Sequence, residues 1–273
     1  KHYTTLDPER GVIISSFATG KEVGVALSFD LLPDSIGKAG AYTYSADEKY
    51  LLLETDREAI YRRSYLSSFW VYDLKLKKLQ QLSKAGKQRL ATFSPDGAKI
   101  AFLRENNIFY YDLLTATEHQ ITSDGKRNQI INGAADWVYE EEFALSRALW
   151  WSPDSKYLAY LRFDETLVSE YSMMYYDSTL YPQVYSYKYP KAGEVNSVVS
   201  LHVFDLGREK TVTVDTGKET DQYIPRVLWS PSGALCYLRE NRLQNHLEIL
   251  EANPVTGVSR LVLEEKNACY IEE

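Results

Sequence analysis

Three consecutive carboxylates, Glu140-Glu141-Glu142, are the residues of this chain best suited to chemistry. Neighbouring carboxylates about 4 Å apart repel by roughly 1 kcal/mol in water, and by more where water is partly excluded. A cation held between them removes that cost. A primary ammonium carries three donors and no acceptor, so two or more carboxylate oxygens match it well. The alternative for such a run is an acidic helix start facing solvent.

The run lies in Asp136-Trp137-Val138-Tyr139-Glu140-Glu141-Glu142-Phe143-Ala144-Leu145-Ser146-Arg147-Ala148-Leu149, a stretch without Gly or Pro and rich in helix formers. This predicts a short inserted helix over residues 136–147, with Asp136 as N-cap and the carboxylates near the positive end of the helix dipole. On helical spacing Val138, Glu141, Glu142 and Leu145 share one side, so two carboxylates project beside apolar anchors.

Other chemistries fit less well. A glycosidase acid/base pair needs carboxylates facing each other across about 5 to 9 Å, not adjacent on one helix. A calcium loop needs alternating oxygen ligands, which this run lacks. His2, His119, His202 and His246 share no metal-ligand spacing, so neither a metal nor a cofactor is expected. The two cysteines, Cys236 and Cys269, form no CxxC pair and are expected to be buried, reduced thiols. A net charge of −7 without a Lys/Arg cluster excludes a nucleic-acid partner and favours a cationic ligand.

The elements that must position these residues are announced by a repeat. Four copies share an apolar lead-in, a Ser-Pro-Asp-Gly-like turn and an apolar run. They are Tyr44-Ser45-Ala46-Asp47 before Tyr50-Leu51-Leu52-Leu53, Phe93-Ser94-Pro95-Asp96-Gly97 before Ile100-Ala101-Phe102-Leu103, Trp151-Ser152-Pro153-Asp154-Ser155 before Leu158-Ala159-Tyr160-Leu161, and Trp229-Ser230-Pro231-Ser232-Gly233 before Leu235-Cys236-Tyr237-Leu238. Each copy reads strand, turn, strand. Aromatic segments such as Trp70-Val71-Tyr72 and Phe109-Tyr110-Tyr111 supply a third strand, and a fourth follows, which makes a propeller blade.

The expected fold is therefore all-β, a β-propeller of about four to five blades, as an arc of a larger ring, carrying the inserted helix. The 22 Tyr, 5 Trp and 9 Phe agree with strand-rich structure. Blades are expected near residues 41–83, 89–124, 148–217 and 226–266, preceded by the closing strand of an earlier blade in residues 24–31. The serine anchors are 49, 58 and 78 residues apart, so the later intervals hold insertions, where function is usually sited. Both ends fall in blade-like sequence, so residues 1–273 are expected to be a partial N-terminal propeller domain cut from a longer chain.

Asp136-Trp137-Val138-Tyr139-Glu140-Glu141-Glu142, with Ala148-Leu149-Trp150-Trp151-Ser152-Pro153, Arg62-Arg63-Ser64-Tyr65 and Tyr189-Pro190-Lys191-Ala192-Gly193, resembles the dipeptidyl peptidase IV group of prolyl-oligopeptidase-like serine peptidases. The resemblance covers most of the chain. It implies an eight-bladed propeller over an α/β-hydrolase domain, and an exopeptidase that releases N-terminal dipeptides with Pro or Ala second. It assigns the substrate's α-amine to Glu141 and Glu142 and a substrate carbonyl oxygen to Arg62, with Arg63 its neighbour. The segment between Glu142 and Ala148 is shorter than the mammalian pattern, so contacts beyond Glu142 are not carried over. No G-x-S-x-G nucleophile elbow occurs, so no catalytic residue is expected in this chain, and the α/β-hydrolase domain becomes an expected partner.

Residues 164–197 hold a second insertion containing seven tyrosines and two methionines, too long for a hairpin turn. Such residues suit either a β-arm folded on its own blade or a protein interface. The resemblance implies an arm at a homodimer contact, with Tyr181 and Pro182 in it. Missing N-x-[ST] sequons and few cysteines fit a bacterial relative, periplasmic or secreted by resemblance. The alternative to the exopeptidase reading is a non-catalytic propeller used as an interaction scaffold.

Overall fold

Each turn motif closes on its own serine. In a computed structural model describing residues 1–33, 36–177 and 179–272, the hydroxyls of Ser45, Ser94 and Ser152 donate to Asp47, Asp96 and Asp154 at 2.7, 2.5 and 2.7 Å. The same oxygens accept the N–H groups of Tyr50, Lys99 and Tyr157 at 3.0, 2.9 and 2.9 Å. In the fourth copy Ser232 takes the aspartate's place, 2.8 Å from Ser230. The last residue of each turn has a positive φ: Glu48, Gly97, Ser155 and Gly233 at 56°, 70°, 59° and 86°. Glycine occupies that position in two copies because it has no Cβ to clash there.

In chain order the strands begin with β1 (His2–Asp7), β2 (Gly11–Ser16) and β3 (Glu22–Ser28), a three-stranded antiparallel sheet. Next come β4 (Ala39–Tyr44), β5 (Tyr50–Ala59), β6 (Tyr65–Asp73) and β7 (Lys78–Gln81), then β8 (Arg89–Phe93), β9 (Lys99–Arg104), β10 (Asn107–Asp112) and β11 (Thr117–Gln120), each group a four-stranded meander. They are followed by β12 (Ile130–Asn132), α1 (Trp137–Glu142), β13 (Leu149–Trp151), β14 (Tyr157–Asp164), β15 (Glu170–Tyr175), β16 (Gln183–Lys188), β17 (Val198–Asp205) and β18 (Lys210–Thr213). The chain closes with β19 (Gln222–Tyr223), β20 (Val227–Trp229), β21 (Leu235–Asn241), β22 (His246–Ala252) and β23 (Ser259–Lys266). Among the described residues the fold is all-β with one short inserted α-helix, besides a 3-10 turn at Phe29–Leu31, and its repeating unit is the propeller blade.

The chain divides into two units, Lys1–Arg104 with Tyr110–His119, and Glu105–Phe109 with Gln120–Glu273. In the first, Val12, Leu27, Ala39, Leu51, Leu53 and Tyr72 form one core cluster between the three-stranded sheet and the β4–β7 blade. Leu51, Leu52 and Leu53 are buried at consecutive positions, as in a sheet covered on both faces. Leu158, Ala159, Tyr160 and Leu161 repeat this in the second unit.

In the second unit the first strand of a blade is split. Both β12 and β13 pair with β14, Ile131 opposite Phe163 and Trp150 opposite Ala159, and α1 fills the gap. Around the gap Leu161 still bonds to both sides, accepting from Gly133 and donating to Ala148 at 2.9 Å each. The next blade is split likewise, β19 and β20 both pairing with β21. The helix is shorter than the sequence predicts: Ala144 turns to φ 53° and Leu145 N–H bonds back to Tyr139 O at 3.0 Å, so Leu145 falls outside it. Cys236 is only half-buried and Cys269 is exposed, against the expectation of two buried thiols. Among the described residues no helix is long and apolar enough to cross a membrane.

Candidate functional site

The helix that carries the glutamates is held from both ends of its short length. Asp136 caps it, accepting Tyr139 N–H at 2.9 Å, and its other oxygen accepts the Ser197 hydroxyl at 2.6 Å. Burial still pushes the Asp136 carboxyl above the usual carboxylate range. Tyr139 is buried against Phe143, Phe163 and Tyr223, with ring centroids 5.1, 4.9 and 6.1 Å away. Its hydroxyl oxygen accepts Ile224 N–H at 2.8 Å, and Arg226 donates to Phe143 O at 2.8 Å. Both of these contacts fall in the break between β19 and β20, so the interrupted strand of one blade receives the helix inserted in the other.

The three carboxylates have three different surroundings. Glu140 points into the protein with no exposed surface, Glu141 is half-buried, and Glu142 is exposed. Glu142 borders two cavities. One, of about 660 Å³, is walled by Trp137, Val138, Tyr171, Tyr187, Tyr189 and Tyr223, with Lys191 and Arg242 also lining it. The other, of about 340 Å³, adds Phe143, Gln244 and Tyr270. The aromatic wall is continuous: Trp137 lies 4.2 Å from Tyr189, which lies 5.6 Å from Tyr171 and 6.0 Å from Tyr187.

Arg62 is in the first unit, exposed on the turn that joins β5 to β6. Ile60 and Tyr61 both donate to Ser64 O, at 2.8 and 3.3 Å, which fixes the turn. Below it buried Glu54 gathers Arg57, Ser67 and Tyr65 at 2.6, 3.0 and 3.3 Å. Tyr181 is exposed in the connection between β15 and β16, and Pro182 beside it is half-buried. These two strands form a separate hairpin, Tyr171 opposite Tyr187 and Met173 opposite Tyr185.

At the base of that hairpin lies a buried carboxylate that sequence reading did not single out. Burial first, and then the charge of Asp136, push Glu165 up to about 7. Lys188 faces it and donates to Val168 O at 2.7 Å. His202, stacked on Tyr160 at 5.2 Å, is pushed the other way, down to about 4, by burial and the Arg162 guanidinium. A third group, His246, Glu248 and Glu264, has ligand atoms within 4.8 Å of one another. Spacing could not reveal it, because Glu264 comes from the neighbouring strand. Its carboxylates are engaged by Arg239 at 2.6 Å and Lys266 at 2.6 Å, so it is an ion-pair network.

Residues 45–273 match the profile of the dipeptidyl peptidase IV (DPP IV) N-terminal region. The chain belongs to the dipeptidyl peptidase IV family. A probable dipeptidyl-aminopeptidase B of Podospora anserina is 34% identical across 92% of this chain and 29% of its own length. A prolyl endopeptidase FAP of Bos taurus is 30% identical across 90% of this chain and 33% of its own. The crystal structure of Porphyromonas gingivalis dipeptidyl peptidase 4 superposes with a TM-score of 0.93 at 39% identity, over 98% of this chain and 39% of that one. The chain thus spans about a third of the length of the dipeptidyl peptidase IV relatives it matches.

Within the family motif the sequence could single out the glutamate run and the arm tyrosines. The remaining walls, Tyr223 and Arg242, lie some 80 residues or more downstream of the helix and meet it only because both blades are split. No local pattern in the sequence announces that meeting.

Proposed function

We propose that this chain is the substrate-docking part of a dipeptidyl-peptidase-type serine exopeptidase, in which Glu142, with Glu141, holds the free α-ammonium of a peptide. The observation that supports it is the exposed carboxylate of Glu142 at the edge of a cleft whose walls include five aromatic rings, with Lys191 and Arg242 also lining it. Partial exclusion of water there strengthens a charge-assisted contact to an ammonium. Arg62, in the first unit, is proposed from the family resemblance as a donor to a substrate carbonyl oxygen, a task that suits a guanidinium fork.

Fixing the amine fixes how far the peptide reaches toward a catalytic centre, so this part measures and another part cuts. Orientation of this kind lowers a barrier although no bond changes at the glutamates. The test is the full-length enzyme acting on Gly-Pro and Ala-Pro chromogenic amides. Release of the dipeptide is expected, and Glu142→Gln should lower kcat/KM at least tenfold, the loss of one hydrogen-bonded charge contact. A full-length protein that binds partners but releases no dipeptide would favour the scaffold reading.

The hairpin of β15 and β16 is proposed as a dimer arm. Met174, Tyr175, Tyr176, Leu180, Tyr181 and Val184 are all more than half exposed on it, a composition enriched at protein interfaces. Deletion of residues 171–188 from the full-length protein should convert a dimer to a monomer by light scattering, and an unchanged mass per particle would exclude this role.

A further inference from the structure

The β5–β6 hairpin, whose turn carries Arg62, is interrupted by a bulge before it reaches that turn. Thr55 pairs with Ser68 and Glu58 with Leu66, so Asp56 and Arg57 stand opposite the single residue Ser67. Asp56 takes a φ of 55° there. Such a bulge bends a strand and redirects whatever lies beyond it. Beyond it here lie the Ala59–Tyr65 pair and the turn itself. We propose that Glu54 is the positioning residue for Arg62: by locking this bulge, its carboxylate fixes where the arginine stands. The inference rests on the reading that Arg62 donates to a substrate carbonyl oxygen.

One carboxylate closes the bulge from both strands. Glu54 is 8% exposed, and its Oε1 accepts Arg57 Nε at 2.6 Å from the bulged strand and the Ser67 hydroxyl at 3.0 Å from the facing one. Its Oε2 accepts the Tyr65 hydroxyl at 3.3 Å. The Arg57 bond is charge-assisted and so the strongest of the three. Its guanidinium also lies 3.9 Å from the Tyr65 ring centroid, a favourable seat for a cation. Lys87 reaches Asp56 and Glu58 at 3.1 and 3.2 Å, but both of those carboxylates are exposed, where ion pairs hold little.

The path from this lock to Arg62 is short. Tyr65 directly follows the turn, and Ser64 O accepts the N–H groups of Ile60 and Tyr61, so a shift of Tyr65 carries the turn with it. On the other side, Ser67 exchanges backbone hydrogen bonds of 2.8 Å with Gln88, which is wholly buried. The lock is thus tied to the core at one end and to the arginine's turn at the other.

The experiment measures hydrolysis of Gly-Pro amide by the full-length enzyme carrying Glu54→Gln, Arg62→Ala or both. Gln keeps the shape of Glu54 but loses its charge and one acceptor oxygen. Glu54→Gln should lower kcat/KM about tenfold, mostly through KM, the mark of a lost binding contact, and Arg62→Ala should do at least as much. The double variant should match Arg62→Ala alone, because the lock then has nothing left to position. Effects that multiply in the double variant, or an unaltered kcat/KM in Glu54→Gln, would overturn the positioning role and leave the reading of Arg62 standing. An unaltered kcat/KM in Arg62→Ala would overturn that reading and this inference with it. Should Glu54→Gln fail to fold, Arg57→Met on the exposed side of the lock takes its place and is held to the same outcomes.

Discussion

At the scale of single residues, the burial of charge sets the most direct expectations. Glu165 holds its proton more tightly in the folded protein than in the unfolded chain, so its contribution to stability falls as pH rises from about 4.5 to 7. His202 holds its proton less tightly when folded, so its contribution rises with pH between about 4 and 6.5. The two slopes oppose each other over most of the same window. Glu165→Gln should remove one of them: relative to the natural chain, the variant gains stability progressively from pH 4.5 to 7, by up to about 3 kcal/mol. Urea denaturation at pH 5 and pH 8 measures this, and an equal difference at both values would contradict it. Neither residue was legible as special in the sequence, because their protonation depends on burial and on partners from other strands. Asp136, by contrast, was legible as a cap from its place before a helix-forming run, since that contact is local.

At the scale of elements, the six-residue helix α1 is too short to be stable by its own hydrogen bonds. It depends on its seat, chiefly the Tyr139 ring and hydroxyl. Tyr139→Phe keeps the ring but leaves the buried Ile224 N–H without its acceptor, which should cost about 1–3 kcal/mol. Chemical denaturation reads the loss, and a rise in KM for dipeptide amides should accompany it as Glu142 loses its fixed position. The repeat of Ser-x-Asp turns made the blades readable from the sequence, since each turn is built from contacts within six residues. The helix end was not: nothing in the residue types of Phe143-Ala144-Leu145 marks a stop, and the left-handed turn at Ala144 comes where Phe143 docks against Tyr223, 5.1 Å away. The helix would have had to run three residues further to keep Leu145 beside Glu141 and Glu142.

At the scale of the whole molecule, a net charge of −7 and a cleft edged by an exposed carboxylate both suit a cationic ligand group. Family membership is the context in which we propose that group to be a peptide's α-ammonium. The split of two successive blades is what joins the glutamate helix, the arm and the distant Tyr223 and Arg242 around one cleft, and it explains why residue spacing pointed to the carboxylates but not to their surroundings. The central claim is that Glu142 recognises the ammonium charge itself. The most direct measurement compares Gly-Pro amide with its N-acetylated form on the full-length enzyme and on Glu142→Gln. If Glu142 binds the ammonium, acetylation lowers kcat/KM at least tenfold in the natural enzyme and far less in the variant, because each change removes one half of the same contact. The same factor of discrimination in both enzymes would contradict the account.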